Sequence, residues 1–240
     1  MDTTNLYFRV CFDDTLVKHS PTSNITHFKI MLGTTYREAI PFYPNAFGNR
    51  NYTENYNCSF DLLKTFSKME DRAKQLVKNF YSQDGVISFA SDFYFNYPSE
   101  RLVKYYLRNN AVVYRYIFNY DGGRNYMKEM KNITIRGTTH ADELGYLFDM
   151  SMFDTNISDA DQLVIDRMTS LWTNFAKYGD PTPSPSPVLP VRWSPTTADQ
   201  GSYLDLDAAL SLRSGGPFER VASFWDLFYH HYAKFYKDSN

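Results

Sequence analysis

Two hydrophobic rhythms take turns along this chain, one of period two and one near 3.6. The run FKIML, residues 28–32, is short and apolar and is followed by Gly33, which predicts a buried strand stopped by a tight turn. Between Ser59 and Tyr81, Leu62, Phe66, Met69, Ala73, Leu76 and Phe80 recur at spacings of three and four. That spacing predicts one buried face, divided between two helices. AVVYRYIFNYDGG, residues 111–123, is β-branched and aromatic and predicts a strand running into a glycine-rich loop. From Asp161 to Asp180 the apolar positions Leu163, Ile165, Met168, Leu171, Trp172 and Phe175 predict the clearest helix, with Gly179 as its C-cap. The prolines of DPTPSPSPVLPVRW then force an extended connection, because each removes a backbone donor and disfavours helix in the residue before it. This stretch reads as a surface loop rather than a PxxP ligand. SYLDLD predicts a short strand and ERVASFWDLFYHHYAKFY a closing aromatic helix. No repeat, low-complexity block or linker divides the chain.

Strands separated by helices imply an α/β layered fold with a mostly parallel sheet, whose reactive groups sit on loops beyond the carboxyl ends of strands. Two such loops are conspicuous. GTTYREAIPF follows the first strand and carries Glu38, and the loop after the second strand leads to GTTHADELGYLF and His140. A carboxylate bonded to one imidazole nitrogen fixes the tautomer and stabilises the imidazolium, while the other nitrogen takes a proton from a nucleophile. Spacing alone leaves open that His140 is an ordinary loop histidine and Glu38 a solvated acid.

Composition narrows the setting. The 240 residues, 43% hydrophobic, suffice for one sizeable core or two small ones, and the net charge of −2 argues against a nucleic-acid binder. No apolar run approaches the roughly 20 residues of a membrane span, and MDTTNLYFRV does not read as a signal peptide. Cys11 and Cys58 leave one disulfide open. Sequons at Asn24, Asn51, Asn57, Asn132 and Asn156 tilt the reading toward a secretory history and a glycoprotein. No metal is expected: HADEL lacks a second histidine four residues on, and the adjacent His230 and His231 point to different sides of their helix. Asp142 and Glu143 read instead as acids at a helix N-terminus.

Several segments resemble the C-terminal half of a type-B carboxylesterase of the α/β-hydrolase fold, most closely the insect α-esterase branch. MLGTTYREAIPF is similar to the family's acid segment, with Ala39 where glycine is usual. GTTHADELGYLF is similar to its histidine segment, and LWTNFAKYGDPTP, RWSP and ERVASFW follow in the family's order. The resemblance divides the chain into residues 1–15, which match nothing, and residues 16–240, the C-terminal portion. It implies an α/β fold with a mostly parallel central sheet flanked by helices, lacking the N-terminal half. It also implies His140 as general base and acid, Glu38 as the carboxylate that orients it, no cofactor, and small lipophilic esters as substrates.

The family's nucleophilic serine stands in a G-x-S-x-G elbow ahead of the acid and histidine. That motif is absent from these 240 residues. Ser202 and Ser214 lack the flanking glycines and follow the histidine, and the glycine-rich oxyanion-hole stretch is missing too. The resemblance therefore implies the back portion of a serine esterase, inactive by itself, with the missing N-terminal half counted among its partners. Three origins fit: a fragment of a longer esterase, a short non-catalytic paralogue, or one half of a split enzyme. The alternative function is a binding or adhesion protein on the same fold. A non-catalytic descendant has no chemical need for both Glu38 and His140.

Overall fold

The computed structural model describes residues 28–42, 71–82, 85–153 and 156–232. Cys11, Cys58, the sequons at Asn24, Asn51 and Asn57, and the first of the two helices expected before Tyr81 lie outside these. Strands β1 (Lys29–Thr35), β2 (Val112–Phe118), β3 (Tyr203–Leu206) and β4 (Ser211–Arg213) form one sheet in that order. β1 pairs with β2 and β2 with β3 in parallel, whereas β4 turns back antiparallel on β3. Among the described residues β1 is an outer strand, half-exposed along most of its length, while β2 is largely buried.

Seven helices accompany the sheet among the described residues. They are α1 (Asp71–Phe80), α2 (Gly85–Ser91), α3 (Tyr97–Arg108), α4 (Tyr126–Lys131), α5 (Leu144–Leu147), α6 (Asp159–Tyr178) and α7 (Glu219–Tyr232). One turn of π-helix, Asp92–Asn96, joins α2 to α3. Period-two alternation along β2 sends its side chains to opposite faces. Ile117 enters a cluster with Tyr81 and Phe89 and with Val221, Trp225 and Phe228 of α7. Tyr114 and Phe118 enter a second cluster with Met168 and Leu171 of α6 and with Trp193 and Leu204. The sheet is thus covered on both faces, as a parallel sheet requires. Two buried polar contacts tie these layers together: Trp225 Nε1 donates to Tyr81 Oη at 2.9 Å, and Arg115 of β2 pairs with Glu100 of α3.

Several sequence expectations need correcting. Gly33 does not stop the first strand; it lies within β1, beneath the Tyr116 ring of β2, where a Cβ would collide with the aromatic carbons. Leu76 is 42% exposed, and the inward face of α1 is carried by Ala73 and Val77. Likewise Val164, Met168 and Leu171 face the core from α6 while Leu163 is exposed. The C-cap is as expected: Gly179 adopts φ +63°, and its N–H reaches Phe175 O at 2.7 Å. The helices between Gly85 and Arg108 were not anticipated, because the aromatic SDFYFNYP carries no clean 3.6-residue rhythm across the π turn.

Candidate active site

β1 ends in a tight turn that folds Glu38 back over it. Thr35 N–H donates to Glu38 Oε1 at 2.7 Å, Ile40 N–H reaches Arg37 O at 3.1 Å, and Ala39 N–H donates to buried Ser91 Oγ at 3.0 Å. The carboxylate is 5% exposed, with its second oxygen aimed at the neighbouring strand end. Ala39 has no positive φ, so the backbone conformation of this turn does not call for glycine.

The loop after β2 brings His140 to that oxygen. Thr138 Oγ1 donates to Phe118 O, the last residue of β2, at 2.8 Å, and Thr139 Oγ1 donates to Arg37 O at 3.0 Å. The first bond ties the histidine loop to its own strand and the second ties it to the acid's turn. His140 Nδ1 then lies 2.9 Å from Glu38 Oε2. A carboxylate accepts, so Nδ1 carries the proton and Nε2 presents its lone pair. The His140 side chain is 43% exposed. The rings of Phe42 and Phe95 flank it at 5.8 and 5.2 Å between centroids. The hydrogen bond to Glu38 holds the imidazole above its ordinary pKa of 6.5; burial opposes this, and the charges of Glu38, Glu143 and Asp142 add to it.

Asp142 is the fixed point of this loop. It is fully buried, and each carboxylate oxygen accepts two hydrogen bonds. Oδ1 takes the N–H groups of Met127 and Lys128, both at 3.1 Å, and Oδ2 takes Asn125 Nδ2 at 3.0 Å and Thr139 N–H at 2.8 Å. Asp142 thus satisfies the orphan amides of α4, the helix before the histidine. Burial raises its pKa, against the bonds from Asn125, Thr139 and Lys128. Tyr146 Oη, bonded to Asn125 Oδ1 at 2.9 Å and to Asp161 Oδ1 at 3.2 Å, extends the network to α6.

Glu143 stands at a helix end as expected, the N-cap of α5, but its side chain makes no cap bond. Its Oε2 is buried with no partner among the described residues, and burial pushes its carboxyl up to about 7. An acid whose folded pKa is raised weakens the fold as pH climbs from its ordinary 4.5 toward 7. Glu143→Gln removes that term and is expected to raise stability at pH 8 by at most about 3 kcal/mol, with little change at pH 4. Urea unfolding at the two pH values reads the difference; an equal effect at both would show that Glu143 does not titrate in this range.

Ala141 stands between these acids with φ +63°, the left-handed region that disfavours a Cβ. Ala141→Gly is expected to stabilise the chain by up to about 1 kcal/mol in the same unfolding measurement. A loss of stability would mean that the loop holds the alanine without strain.

The serines weighed from sequence stand elsewhere. Ser202 Oγ is buried without a hydrogen-bond partner among the described residues, and Ser214 follows β4. Both line a cleft of about 650 Å³ that includes neither Glu38 nor His140. Within SDFYFNYP, Phe95 meets His140, Phe93 packs on Trp225 in the core at 5.1 Å between centroids, and Tyr94 is exposed. Among the described residues no cluster of His, Cys, Asp or Glu could hold a metal, and no helix is long and apolar enough to cross a membrane. Sequence reasoning missed Ser91, Thr138 and Thr139 as supports of the dyad; the Thr-Thr pair before His140 was the available signal.

A carboxylate and a histidine thus stand side by side on connections that follow successive parallel strands of a helix-flanked sheet, and that sheet is of the α/β-hydrolase fold. The chain belongs to the carboxylesterase family, whose sequence model matches residues 2–225. It is 33% identical over 147 residues to bile salt-activated lipase of Rattus norvegicus, which covers 58% of this chain and 23% of that protein. It is 35% identical over 131 residues to juvenile hormone esterase of Tribolium castaneum, covering 51% and 22% respectively. The solved structure of juvenile hormone esterase from Manduca sexta, with OTFP covalently attached, superposes with a TM-score of 0.67 at 23% identity. That match takes in 92% of this chain and 46% of the other, so the chain spans about half the length of that relative.

Proposed function

We propose that this chain supplies the acid and base portion of a serine carboxylic-ester hydrolase, with His140 as proton carrier and Glu38 as the residue that orients it. The 2.9 Å contact between His140 Nδ1 and buried Glu38 Oε2 carries this reading. It leaves Nε2 as the working nitrogen.

The nucleophile comes from sequence outside these residues. In the complete site a serine Oγ attacks the ester carbonyl carbon and passes its proton to Nε2. Glu38 stabilises the imidazolium, and the same proton is handed to the departing alcohol as the tetrahedral intermediate collapses. Water then repeats the sequence on the acyl-serine, again through Nε2, and releases the acid. Backbone amides of the other portion would hold the oxyanion. The rings of Phe42 and Phe95 beside His140 favour lipophilic esters, as do relatives whose names are a lipase and a hormone esterase.

The chain by itself is expected to leave alkyl esters untouched. Joined to the nucleophile-bearing first half of a carboxylesterase, it is expected to hydrolyse them and to become labelled by a serine-directed fluorophosphonate. A folded joined chain that turns over no ester would defeat the proposal.

A further inference from the structure

His140 is a fixed, half-open imidazole in this chain. Nδ1 is committed to Glu38, and among the described residues no group hydrogen-bonds to Nε2. Phe42 and Phe95 meet the imidazole tilted, at 48° and 45°, so they wall the ring rather than lie flat over it. Phe42 is itself 37% exposed. An apolar acyl or aryl group can therefore lie against these rings with its carbonyl at Nε2. His230 and His231, the other described histidines, have no carboxylate partner among the described residues.

We propose that this chain, without any serine partner, cleaves activated aryl esters through an acyl-imidazole formed on His140. The Nε2 lone pair forms a bond to the carbonyl carbon, and the carbon–oxygen bond to the aryl group breaks, with the electron pair leaving on the aryloxide. Nδ1–H stays on the ring and donates to Glu38, whose negative charge offsets the acyl-imidazolium. Water then adds at the acyl carbon and gives up a proton to bulk solvent. The carbon–nitrogen bond breaks, and the pair returns to Nε2. The sum is ester plus water giving carboxylic acid plus phenol. Only esters of acidic phenols such as p-nitrophenol qualify, because such an aryloxide is no more basic than imidazole and leaves in competition with it, whereas an alkoxide is far more basic and the imidazole is expelled instead. This activity rests on the dyad alone and is independent of whether a serine is ever supplied.

The test follows nitrophenolate release from p-nitrophenyl acetate and butyrate by the full chain. The expected result is turnover beyond one equivalent, at a rate above free imidazole of the same concentration and unchanged after fluorophosphonate treatment. The excess should be lost in His140→Ala and largely lost in Glu38→Gln, which keeps the ring but not its aim. Limiting diethylpyrocarbonate, which acylates imidazole nitrogen, should modify the peptide containing His140 first and abolish the same excess. A His140→Ala chain with native circular dichroism and an undiminished rate would overturn the proposal. So would a wild-type rate no greater than free imidazole. Loss of the rate to the fluorophosphonate would overturn it too, by placing the nucleophile on a serine of this chain. None of these outcomes bears on alkyl-ester turnover by the joined enzyme, which is measured separately.

Discussion

Replacing His140 by Ala in the joined enzyme should lower kcat for an alkyl ester by a factor on the order of 10³ to 10⁴ or more, with KM and far-ultraviolet circular dichroism little changed. The ring is 43% exposed, so its removal leaves no cavity in the core. Glu38→Gln should cost about as much, although it alters few atoms, because wrong-tautomer variants of this arrangement lose about 10⁴. Glu38 Oε1 accepts Thr35 N–H and Oε2 accepts His140 Nδ1–H, so a glutamine amide must face one donor with another. If the NH₂ turns to the ring, Nδ1 becomes the acceptor and Nε2 acquires the proton it was meant to receive. The pH profile carries the same signature. The base works only when neutral, and its pKa is raised, so the rate should climb through a midpoint above 6.5. Stability runs the other way. A histidine held charged by its partner stabilises the fold fully below its ordinary pKa, and this contribution fades as pH rises through the folded value. Substantial turnover in the His140→Ala enzyme, or a midpoint below 6.5 in the wild type, would sink the assignment.

Asp142→Ala should be the most destabilising single change in the site. One carboxylate accepts four hydrogen bonds in a fully buried setting, from Asn125, Met127, Lys128 and Thr139. Hydrogen bonds to a charged group contribute roughly 1.5 to 3 kcal/mol each, and buried donors left without an acceptor carry their desolvation cost. Non-additivity trims the sum, and a net loss of about 4 kcal/mol is expected, a large share of the 5 to 15 kcal/mol typical of a domain. Asp142→Asn should recover little, since its NH₂ would point at amides that need an acceptor. Urea denaturation measures the change, and hydrogen exchange should show the Met127 and Lys128 amides losing protection. A loss under about 1 kcal/mol would show that water replaces the carboxylate at α4.

Much of the sheet could be read from the chain because β2 and α6 combine strong local preference with clear periodicity. The errors came where tertiary contact overrides local chemistry. Gly33 looked like a stop because glycine usually is one, yet here it makes room for a ring 83 positions away in the chain. The choice of Leu76 over Val77 for the inward face of α1 is a one-residue phase error that the sheet's position resolves. At the site, Glu38 was legible because it falls just beyond β1, and His140 because it lies on the connection that follows β2. Their supports were not. Asp142 was assigned to a helix N-terminus, correct in kind, but the helix it serves is α4 and not the one that follows it. No local pattern says which amides a buried carboxylate will meet.

Thr139 Oγ1 bridges the histidine loop to the acid's turn, so ring and carboxylate meet only when two segments 102 residues apart have docked. The imidazole proton between them is consequently a spectroscopic witness of tertiary assembly. Its downfield nuclear magnetic resonance signal should emerge during refolding only after the β1 and β2 ends have closed together, marking that event at a single atom.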